Sequence, residues 1–525
     1  MARQSSWLLC AAVLALLAPC AQAQTDIVHV AQGEVSGIVD RGARAWLGIP
    51  FAAPPVGDLR WKPPEPASAW RDVRPADHFA ASCQQVAAPQ GLGPWSHEYA
   101  TSDPVSEDCL YLNIWAPAKA AKGRPVLVWI YGGGFGTGSG AVPIYNGASL
   151  AKKGIVVVNM NYRIGVYGFF SHADLDKENA QGASGNYGLM DQIAALKWVR
   201  ANIAAFGGDP GNVTIAGQSA GAASVHILIE SPLAKGLFVR AIAESGSGMG
   251  LVVADHDTAE AAGARFAAAA GATTLAQLRA LTPDQLLAAA KAAGGMNFGP
   301  SIDGLVLPDA ATADDGNSSD VPVLTGMTAN EGSSAYAFGT ALTVTPEGLR
   351  RLIDHRYGAD APAIAALYPA GDDASATLAR ESLARDRGLA SMYLWAAHRQ
   401  AKSQAPIFAY LWTHVEPGPD AAKYKAFHSS EVPYVFGTLD TPDRPFTALD
   451  HKLSEQVQAY WLNFVRKGDP NGRGLPHWPQ LTTADKLILN IGDDTRVQPL
   501  LDPAKLEVFT RYIRDGGAPG LFGLE

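Results

Sequence analysis

Short apolar runs alternate with stretches of helical spacing along the middle of the chain. Runs rich in Val and Ile predict strands, and apolar residues repeated every three or four positions predict helices. The strands are predicted at 124–131, 155–161, 213–217, 238–244, 321–327, 407–413 and 486–491. Helices are predicted at 186–206, 219–230 and 451–466. Because the strand runs are apolar without alternation, they predict an α/β fold, with a mostly parallel central sheet and helices on both faces.

Two longer segments add helices to this alternation. Residues 257–300 are Ala-rich and helical in spacing, and residues 341–404 are mostly helical with breaks at Pro362 and Pro369. The Pro-rich N-terminal part predicts short strands and extended connections, because proline cannot donate to a strand ladder. We find no internal repeat and no Ser/Gly-rich linker. Residues 24–525 are therefore expected to form a single α/β domain with helical insertions.

The first 23 residues have the features of an export signal. Arg3 precedes a run of apolar residues at 7–18, and a small-x-small cleavage site follows at 21–23. The run is shorter than the roughly 20 residues that a membrane-spanning helix needs. We expect a signal peptide at 1–23, a secreted or periplasmic protein and no stable membrane insertion. Cys20 leaves a lipoprotein as an alternative, although Pro19 fits that motif poorly.

The composition bears on the kind of binding partner and on whether the cysteines are oxidised. The 525 residues are 47% hydrophobic with a net charge of -9, which is typical of a globular protein and makes nucleic acid an unexpected partner. Removing residues 1–23 takes away one Arg and no acid, so the charge becomes -10. It also leaves two cysteines, Cys83 and Cys109. In an exported chain they predict one disulfide, with two buried thiols as the alternative.

One G-x-S-x-G sequence, GQSAG at 217–221, carries the first chemical signal. The pattern alone is weak, but here it follows a predicted strand and opens a predicted helix, as a nucleophile elbow must. Small flanking residues allow the tight, strained turn that exposes a serine hydroxyl. Ser219 is therefore the candidate nucleophile, and an ordinary Gly-rich turn is the plainer alternative.

The glycine run before Phe135 is the second signal. Ester hydrolysis passes through a tetrahedral oxyanion, which needs hydrogen-bond donors already in place. Bare backbone amides of Gly133 and Gly134, together with that of Ala220, are the candidate oxyanion hole. A phosphate cradle is excluded, because neither a Walker A sequence nor a G-x-G-x-x-G register is present here.

A nucleophilic serine needs an acid and a base later in the chain, in that order. Glu331 follows the predicted strand 321–327 closely, and His414 and His428 both follow the strand 407–413. Spacing alone does not choose between the two histidines. The Cys and His residues show no metal-ligand spacing, so neither a metal nor a cofactor is expected.

A set of motifs in a fixed order resembles one family. The motifs are EDCLYLN at 107–113, WIYGGGF at 129–135, NYR at 161–163, FGGDP at 206–210 with GQSAG at 217–221, NEG at 330–332, His428 followed by Glu431 and VFG at 435–437, and GDPNG at 468–472. Together they resemble the type-B carboxylesterases, the carboxylesterase/cholinesterase family of α/β-hydrolases. The resemblance extends over nearly the whole of the chain after the signal peptide.

The resemblance implies a function and a set of residue roles. It implies a serine carboxylic-ester hydrolase that acts on small-molecule esters through a Ser219–His428–Glu331 triad and an acyl-enzyme, so His428 is preferred to His414. It also implies the α/β-hydrolase fold, with the helical insertions shaping a gorge over Ser219. Further implied features are structural: the Cys83–Cys109 disulfide, the ion pairs Arg60–Glu107 and Arg163–Asp191, and a supporting hydroxyl at Ser245. Amide or thioester hydrolysis is the alternative chemistry, and a non-catalytic adhesion protein is a more distant one.

Two features of the sequence differ from those of the cholinesterases. Residue 218 is Gln, whereas cholinesterases and many relatives carry Glu, and this removes a negative charge beside the site. Trp95 and Tyr99 lie between the two cysteines, but no Trp is in clear register with the choline-binding position. Since a cation site needs an aromatic face and nearby negative charge, we expect no choline selectivity and a preference for neutral or acidic esters.

Overall fold

A twisted sheet of 11 strands organises the molecule, in the order β16-β15-β14-β13-β12-β11-β9-β10-β8-β4-β3. The computed structural model describes residues 26–102, 104–246, 253–295, 298–308 and 318–520. The predicted signal peptide at 1–23 therefore lies outside the described residues. The strands are β1 (Ile27–Val30), β2 (Gly33–Ser36), β3 (Ile38–Asp40), β4 (Ala43–Pro50), β5 (Arg74–Pro75), β6 (Ser82–Cys83), β7 (Val105–Ser106), β8 (Tyr111–Ala116), β9 (Arg124–Ile130), β10 (Val156–Met160), β11 (Gly208–Gln218), β12 (Arg240–Glu244), β13 (Val323–Thr328), β14 (Ile407–Trp412), β15 (Leu487–Ile491) and β16 (Arg496–Pro499).

The helices include those that the apolar spacing predicts at 186–206, 219–230 and 451–466. They are α1 (Ala148–Lys152), α2 (Gly165–Phe169), α3 (Ala173–Glu178), α4 (Tyr187–Asn202), α5 (Ala220–Glu230), α6 (His256–Ala269), α7 (Leu275–Ala280), α8 (Pro283–Ala292), α9 (Pro346–Tyr357), α10 (Ala361–Leu367), α11 (Asp373–Gln400), α12 (Ala421–Tyr424), α13 (Val432–Phe436), α14 (Ala448–Lys467) and α15 (Pro503–Arg514). Within the described residues, no helix has both the length and the apolar character needed to cross a membrane.

The central strands are parallel and buried on both faces, which confirms the predicted fold class. Every neighbouring pair from β10 through β9, β11, β12, β13 and β14 to β15 is parallel. All residues of β10, β13 and β14 are buried. Because alternate residues of a strand point to opposite faces, both faces of this sheet are covered. The carboxyl ends of β11, β13 and β14 consequently meet along one edge of the sheet, and the loops after them can meet there too.

The two ends of the sheet are antiparallel, which the apolar runs did not predict. Strand β8 pairs antiparallel with β10 and β4, and β4 pairs antiparallel with β3. At the other end β16 pairs antiparallel with β15, so the last strand is not the predicted run at 486–491. Three of the four β16 residues are exposed, and a strand with so little buried surface leaves no apolar pattern in the sequence.

The predicted insertions are helical. Helices α6, α7 and α8 lie between β12 and β13, and α9, α10 and α11 lie between β13 and β14. The two predicted breaks are also present. Pro362 occupies the first turn of α10, where a proline removes no helical hydrogen bond, and Pro369 lies between α10 and α11.

The predicted disulfide and both implied ion pairs are present. Cys83 and Cys109 are bonded and buried, so the alternative of two free thiols is wrong. Arg60 holds Glu107 through two nitrogens, at 2.7 and 2.5 Å. Arg163 holds the buried Asp191 in the same two-pronged way, at 2.8 and 2.7 Å. The first pair joins the segment after β4 to the segment before β8, and the second joins the loop after β10 to α4.

Candidate active site

Ser219 occupies a sharp turn between a strand and a helix. It follows the last residue of β11 and immediately precedes α5. Its backbone has φ 59° and ψ -125°, a strained conformation for a residue with a side chain. The Ser219 amide donates to the Glu244 carbonyl oxygen at 2.8 Å, which anchors the turn on strand β12. Ser219 therefore stands at the carboxyl edge of the sheet, at the N-terminal end of α5, as the G-x-S-x-G context predicts.

The two glycines of GQSAG make this turn possible. A Cβ on Gly217 would lie 2.5 Å from the carbonyl carbon of Gly221, and one on Gly221 would lie 2.0 Å from the Ile130 carbonyl oxygen. Both distances are far inside van der Waals contact. Any larger residue would push α5 away from β9 and β11, so the glycines are required by close packing of the helix on the strands.

The glycine loop after β9 lies directly beside Ser219. A Cβ on Gly132 would be 2.9 Å from the Ser219 Cβ. Gly133 and Gly134 have φ of +111° and +61°, so the loop turns sharply before Phe135. Among the described residues, neither the Gly133 nor the Gly134 amide has a hydrogen-bond acceptor. Two N–H groups are thus available next to the serine, which is the arrangement that an oxyanion hole requires.

Glu331 and His428 form a buried pair at the same edge. The Glu331 carboxylate accepts a short hydrogen bond from Nδ1 of His428 through Oε2, and its Oε1 accepts from the Thr328 amide at 2.8 Å. Glu331 opens the 3₁₀ segment Glu331–Phe338 after β13, and His428 lies on the loop after β14. With Nδ1 directed at the acid, Nε2 is the imidazole nitrogen on the opposite side of the ring from Glu331.

The neighbour of Ser219 brings this pair against the serine turn. Nε2 of Gln218 lies 3.1 Å from Nε2 of His428 and 3.4 Å from its Nδ1. The candidate nucleophile, base and acid are therefore gathered at one place, although they are far apart in sequence. All three are at most 8% exposed, which keeps the electrostatic interactions between them strong.

His414 has a different environment. Its Nδ1 lies 2.5 Å from an Asp493 carboxylate oxygen, and its Nε2 lies 2.8 Å from one of Asp450. Tyr434 also donates to Asp450 at 2.7 Å. Both ring nitrogens of His414 are therefore engaged by carboxylates, so it has no nitrogen for a serine proton. Spacing does not separate His414 from His428, because both follow β14, but the partners of their ring nitrogens differ.

Trp95 is a contact of the site that the sequence did not reveal. Its indole N–H donates to the His428 carbonyl oxygen at 2.9 Å, and its ring stands edge-on to the imidazole at 6.3 Å between centroids. On its other side it packs near the exposed Phe338. The disulfide loop thus reaches the base from a distant part of the chain. No short-range signal could have placed it there.

A second group of buried acids lies close to Ser219 and Glu331. Glu431 accepts from the hydroxyls of Ser245 and Tyr410, each at 3.3 Å, which gives Ser245 the supporting role that the resemblance implies. Burial, with the nearby charges of Glu244 and Glu331, raises the pKa of Glu431 well above its usual range. Burial likewise raises the pKa of Glu244 to about 8. Burial therefore favours the uncharged form of both carboxyl groups.

One group of side chains in the described residues has the types and spacing of metal ligands. Asp176, His256 and Glu260 place their ligand atoms within 4.8 Å of one another. His256 already pairs with Asp176 at 2.8 Å, and all three are partly exposed. This group joins α3 to the start of α6, and none of its three residues is among those gathered around Ser219.

Proteins of the carboxylesterase family are similar to this chain over most of its length. The carboxylesterase family model matches residues 24–509. A fumonisin B1 esterase of Sphingopyxis macrogoltabida is 39% identical over 477 residues, which cover 87% of this chain and 86% of the relative. A para-nitrobenzyl esterase of Bacillus subtilis is 36% identical over 493 residues, covering 89% and 95%. The similarity therefore spans the sheet, the insertions and the site.

A solved esterase structure has the same fold as this chain. The structure of a PNB esterase superposes with a TM-score of 0.77 and 32% identity, covering 92% of this chain and 99% of that one. The shared fold includes the mostly parallel sheet whose carboxyl edge bears Ser219, Glu331 and His428.

Proposed function

The chain belongs to the carboxylesterase family and is a carboxylic-ester hydrolase, and we propose that it works through a Ser219–His428–Glu331 triad and an acyl-enzyme. One observation carries the proposal. The buried Glu331–His428 hydrogen bond lies against the residue that precedes Ser219 in its strained turn. Geometry of this kind serves nucleophilic catalysis, because the acid orients the base and the base activates the hydroxyl.

Acylation begins with attack of the Ser219 Oγ on the ester carbonyl carbon. His428 Nε2 takes the hydroxyl proton, and Glu331 stabilises the resulting imidazolium. The carbonyl oxygen becomes an oxyanion, for which the amides of Gly133, Gly134 and Ala220 are the proposed donors. The carbon–oxygen bond to the alcohol then breaks, and the imidazolium returns its proton to the departing alkoxide.

Deacylation repeats the same chemistry with water. His428 takes a proton from the water molecule as its oxygen attacks the acyl carbon. The bond to Ser219 Oγ then breaks, and the proton passes to the serine oxygen. The carboxylic acid leaves, and the free enzyme is regenerated.

Mutation of the triad tests this proposal against its closest competitor. Ser219→Ala and His428→Ala should each lower kcat/KM for a simple ester by several orders of magnitude. His414→Ala is the matched control, because it removes a buried histidine from the same loop region without touching the serine turn. The proposal fails if His414→Ala abolishes hydrolysis while His428→Ala remains active.

The charge beside the proposed base bears on the charge of the preferred substrate. Gln218 presents an uncharged amide to the imidazole, so no carboxylate at this position attracts a cationic alcohol group. We therefore expect neutral esters to be hydrolysed faster than choline esters of the same acyl length. A comparison of esters, anilides and thioesters of one acyl group, at matched concentration, measures both preferences. Faster hydrolysis of the choline ester would contradict the expectation.

We also propose that residues 1–23 direct export and are removed. The Cys83–Cys109 disulfide supports an oxidising destination, because such bonds persist in secreted and periplasmic proteins. Mass spectrometry of the protein from periplasmic and culture fractions should find an N-terminus at Gln24. A mature protein that begins at Met1, or that carries lipid on Cys20, would refute this.

A further inference from the structure

The loops that carry Glu331 and His428 are joined to each other before they reach the serine. Asn330 and Phe427 form an isolated parallel bridge, and the Asn330 amide donates to the Ala426 carbonyl oxygen at 3.1 Å. The Ser333 hydroxyl donates to the Tyr424 carbonyl oxygen at 2.6 Å. The relative position of the acid and the base is therefore set by contacts between these two loops.

A buried carboxylate on an insertion helix ties both loops together. Oε2 of Glu381, on α11, accepts from Asn330 Nδ2 at 3.3 Å and from Lys425 Nζ at 2.6 Å. Its Oε1 accepts from the Tyr336 hydroxyl at 3.0 Å. One side chain thus contacts the residue before Glu331, the 3₁₀ segment that Glu331 opens, and the residue three positions before His428.

The surroundings of Glu381 make this a strong attachment. The residue is 6% exposed, and a buried carboxylate is tolerated only when it is paired and hydrogen-bonded. Lys425 supplies the opposite charge, and it does so from a backbone conformation with φ 53°, which is unfavourable for a residue with a side chain. The neighbouring Arg380 donates to the Tyr336 hydroxyl at 3.2 Å. Charge-assisted bonds of this kind resist small displacements of the loops.

We propose that Glu381 is a positioning residue that holds the Glu331 and His428 loops in the arrangement needed for proton transfer. The proposal rests on the triad function proposed above. Glu381 contacts neither the serine nor the imidazole; it acts through Asn330, Tyr336 and Lys425. Helix α11 belongs to an insertion, so this part of the chain would serve the rate of the chemical step as well as the shape of the gorge.

Substitution of Glu381 distinguishes a role in positioning the loops from a role in folding, provided that kcat is measured per titrated active site. In Glu381→Gln, an amide N–H₂ replaces one acceptor and faces the Asn330 and Lys425 donors. We expect kcat per active site, titrated with a fluorophosphonate, to fall about tenfold to a hundredfold, since a displacement of 1 Å in a catalytic group costs on that order. KM should change less than threefold, and Glu381→Asp should recover part of kcat.

Asp386 offers a matched control on the same helix. It is also buried, and it accepts from Tyr368 and Lys505 at 2.8 Å each, but it contacts neither loop in the described residues. Asp386→Asn should lower thermal stability and the fraction of titratable sites, with kcat per site unchanged. If Glu381→Gln behaves in this same way, the positioning role is overturned.

A double mutant tests whether Glu381 affects kcat through the Glu331–His428 pair. In a Glu331→Gln background, Glu381→Gln should cause much less further loss than it does alone, because the pair it positions is already disrupted. An undiminished loss of kcat would overturn the proposal.

If Glu381→Gln does not fold, Lys425→Met removes one of the same contacts and must also lower kcat per site. If Ser219→Ala remains active, the triad itself is refuted. If Ser219→Ala is inactive but Glu381→Gln has a normal kcat, only the positioning role is refuted.

Discussion

At the level of single residues, Gln218 places an uncharged amide against His428, the proposed base. The amide lies 3.1 Å from the imidazole Nε2, the nitrogen that would receive the serine proton. A neutral donor there gives no support to the imidazolium. The charge at position 218 is therefore expected to affect both the pH dependence of the rate and the charge of the preferred substrate.

Replacing Gln218 by Glu tests this expectation. A carboxylate in contact with the ring favours the protonated imidazole, so the acidic limb of the kcat/KM profile should move about one unit to higher pH. The ratio of choline-ester to neutral-ester hydrolysis should rise in the same variant. Gln218→Met, of similar size and without charge, should leave the position of the limb unchanged. Equal shifts in both variants would show that packing, not charge, is responsible.

The residues of the site differ in how far the sequence reveals them. Ser219, Gly133, Gly134 and Glu331 follow predicted strands closely, so the periodic pattern and the local motif were enough to nominate them. His428 needed the resemblance, because the carboxylates that engage His414 come from α14 and from the loop after β15. Trp95 and Glu381 reach the site across long sequence separations, and only the tertiary structure brings them there.

At the level of elements, the two glycines of the oxyanion loop are required for different reasons. A Cβ on Gly133 would lie 2.3 Å from the Thr137 carbonyl oxygen, whereas one on Gly134 would have no atom within 4 Å. Gly133 is therefore limited by close contact as well as by its positive φ, and Gly134 by its φ alone. The cost for alanine at a left-handed position is roughly 1–2 kcal/mol.

Alanine substitutions should separate these two causes. In Gly133→Ala the loop must shift to relieve the clash, so its amides leave the serine and kcat/KM should fall about a hundredfold or more. Gly134→Ala should lower the melting temperature slightly and keep kcat/KM for a small acetate ester within about tenfold, since the N–H is retained. Measurements of kcat/KM and melting temperature on both variants check this. Equal losses of activity would mean that the loop tolerates neither side chain.

The strands show the same division between what a pattern predicts and what it misses. The parallel strands were predictable, because burial on both faces demands continuous apolar runs such as VVVNM in β10. The antiparallel strands β3 and β16 are short and contain no fully buried residue, so burial places little constraint on their composition. Their pairing follows from the chain turning back on itself, which hydrophobic periodicity does not encode.

At the level of the whole molecule, the buried acids near the serine turn make the stability of the fold depend on pH. Glu244 ends β12 beside the serine turn and accepts from the Trp461 indole of α14 at 2.7 Å. Burial raises its pKa to about 8 from the ordinary 4.5. The folded protein therefore keeps this proton at pH values where the unfolded chain has released it.

This difference in proton binding makes the fold less stable as the pH rises. Below about pH 4.5 both states hold the proton, and Glu244 does not oppose folding through its charge. As the pH rises toward 8 the unfolded chain binds fewer protons than the folded one, so the free energy of unfolding falls by up to about 1.4 kcal/mol per pH unit from this group. Glu431 acts in the same direction, because burial also raises its pKa.

Glu244→Gln should remove the Glu244 part of this dependence and keep the acceptor for Trp461. Relative to the unmodified protein, the variant should gain stability steadily between pH 5 and pH 8, measured as the free energy of unfolding in urea at each pH. Glu347→Gln, at an exposed position in the first turn of α9, should show a constant difference over the same range. If the Glu244→Gln difference is also constant, the carboxyl of Glu244 ionises in the folded protein as it does in the unfolded chain, and the acids close to Ser219 and Glu331 are charged.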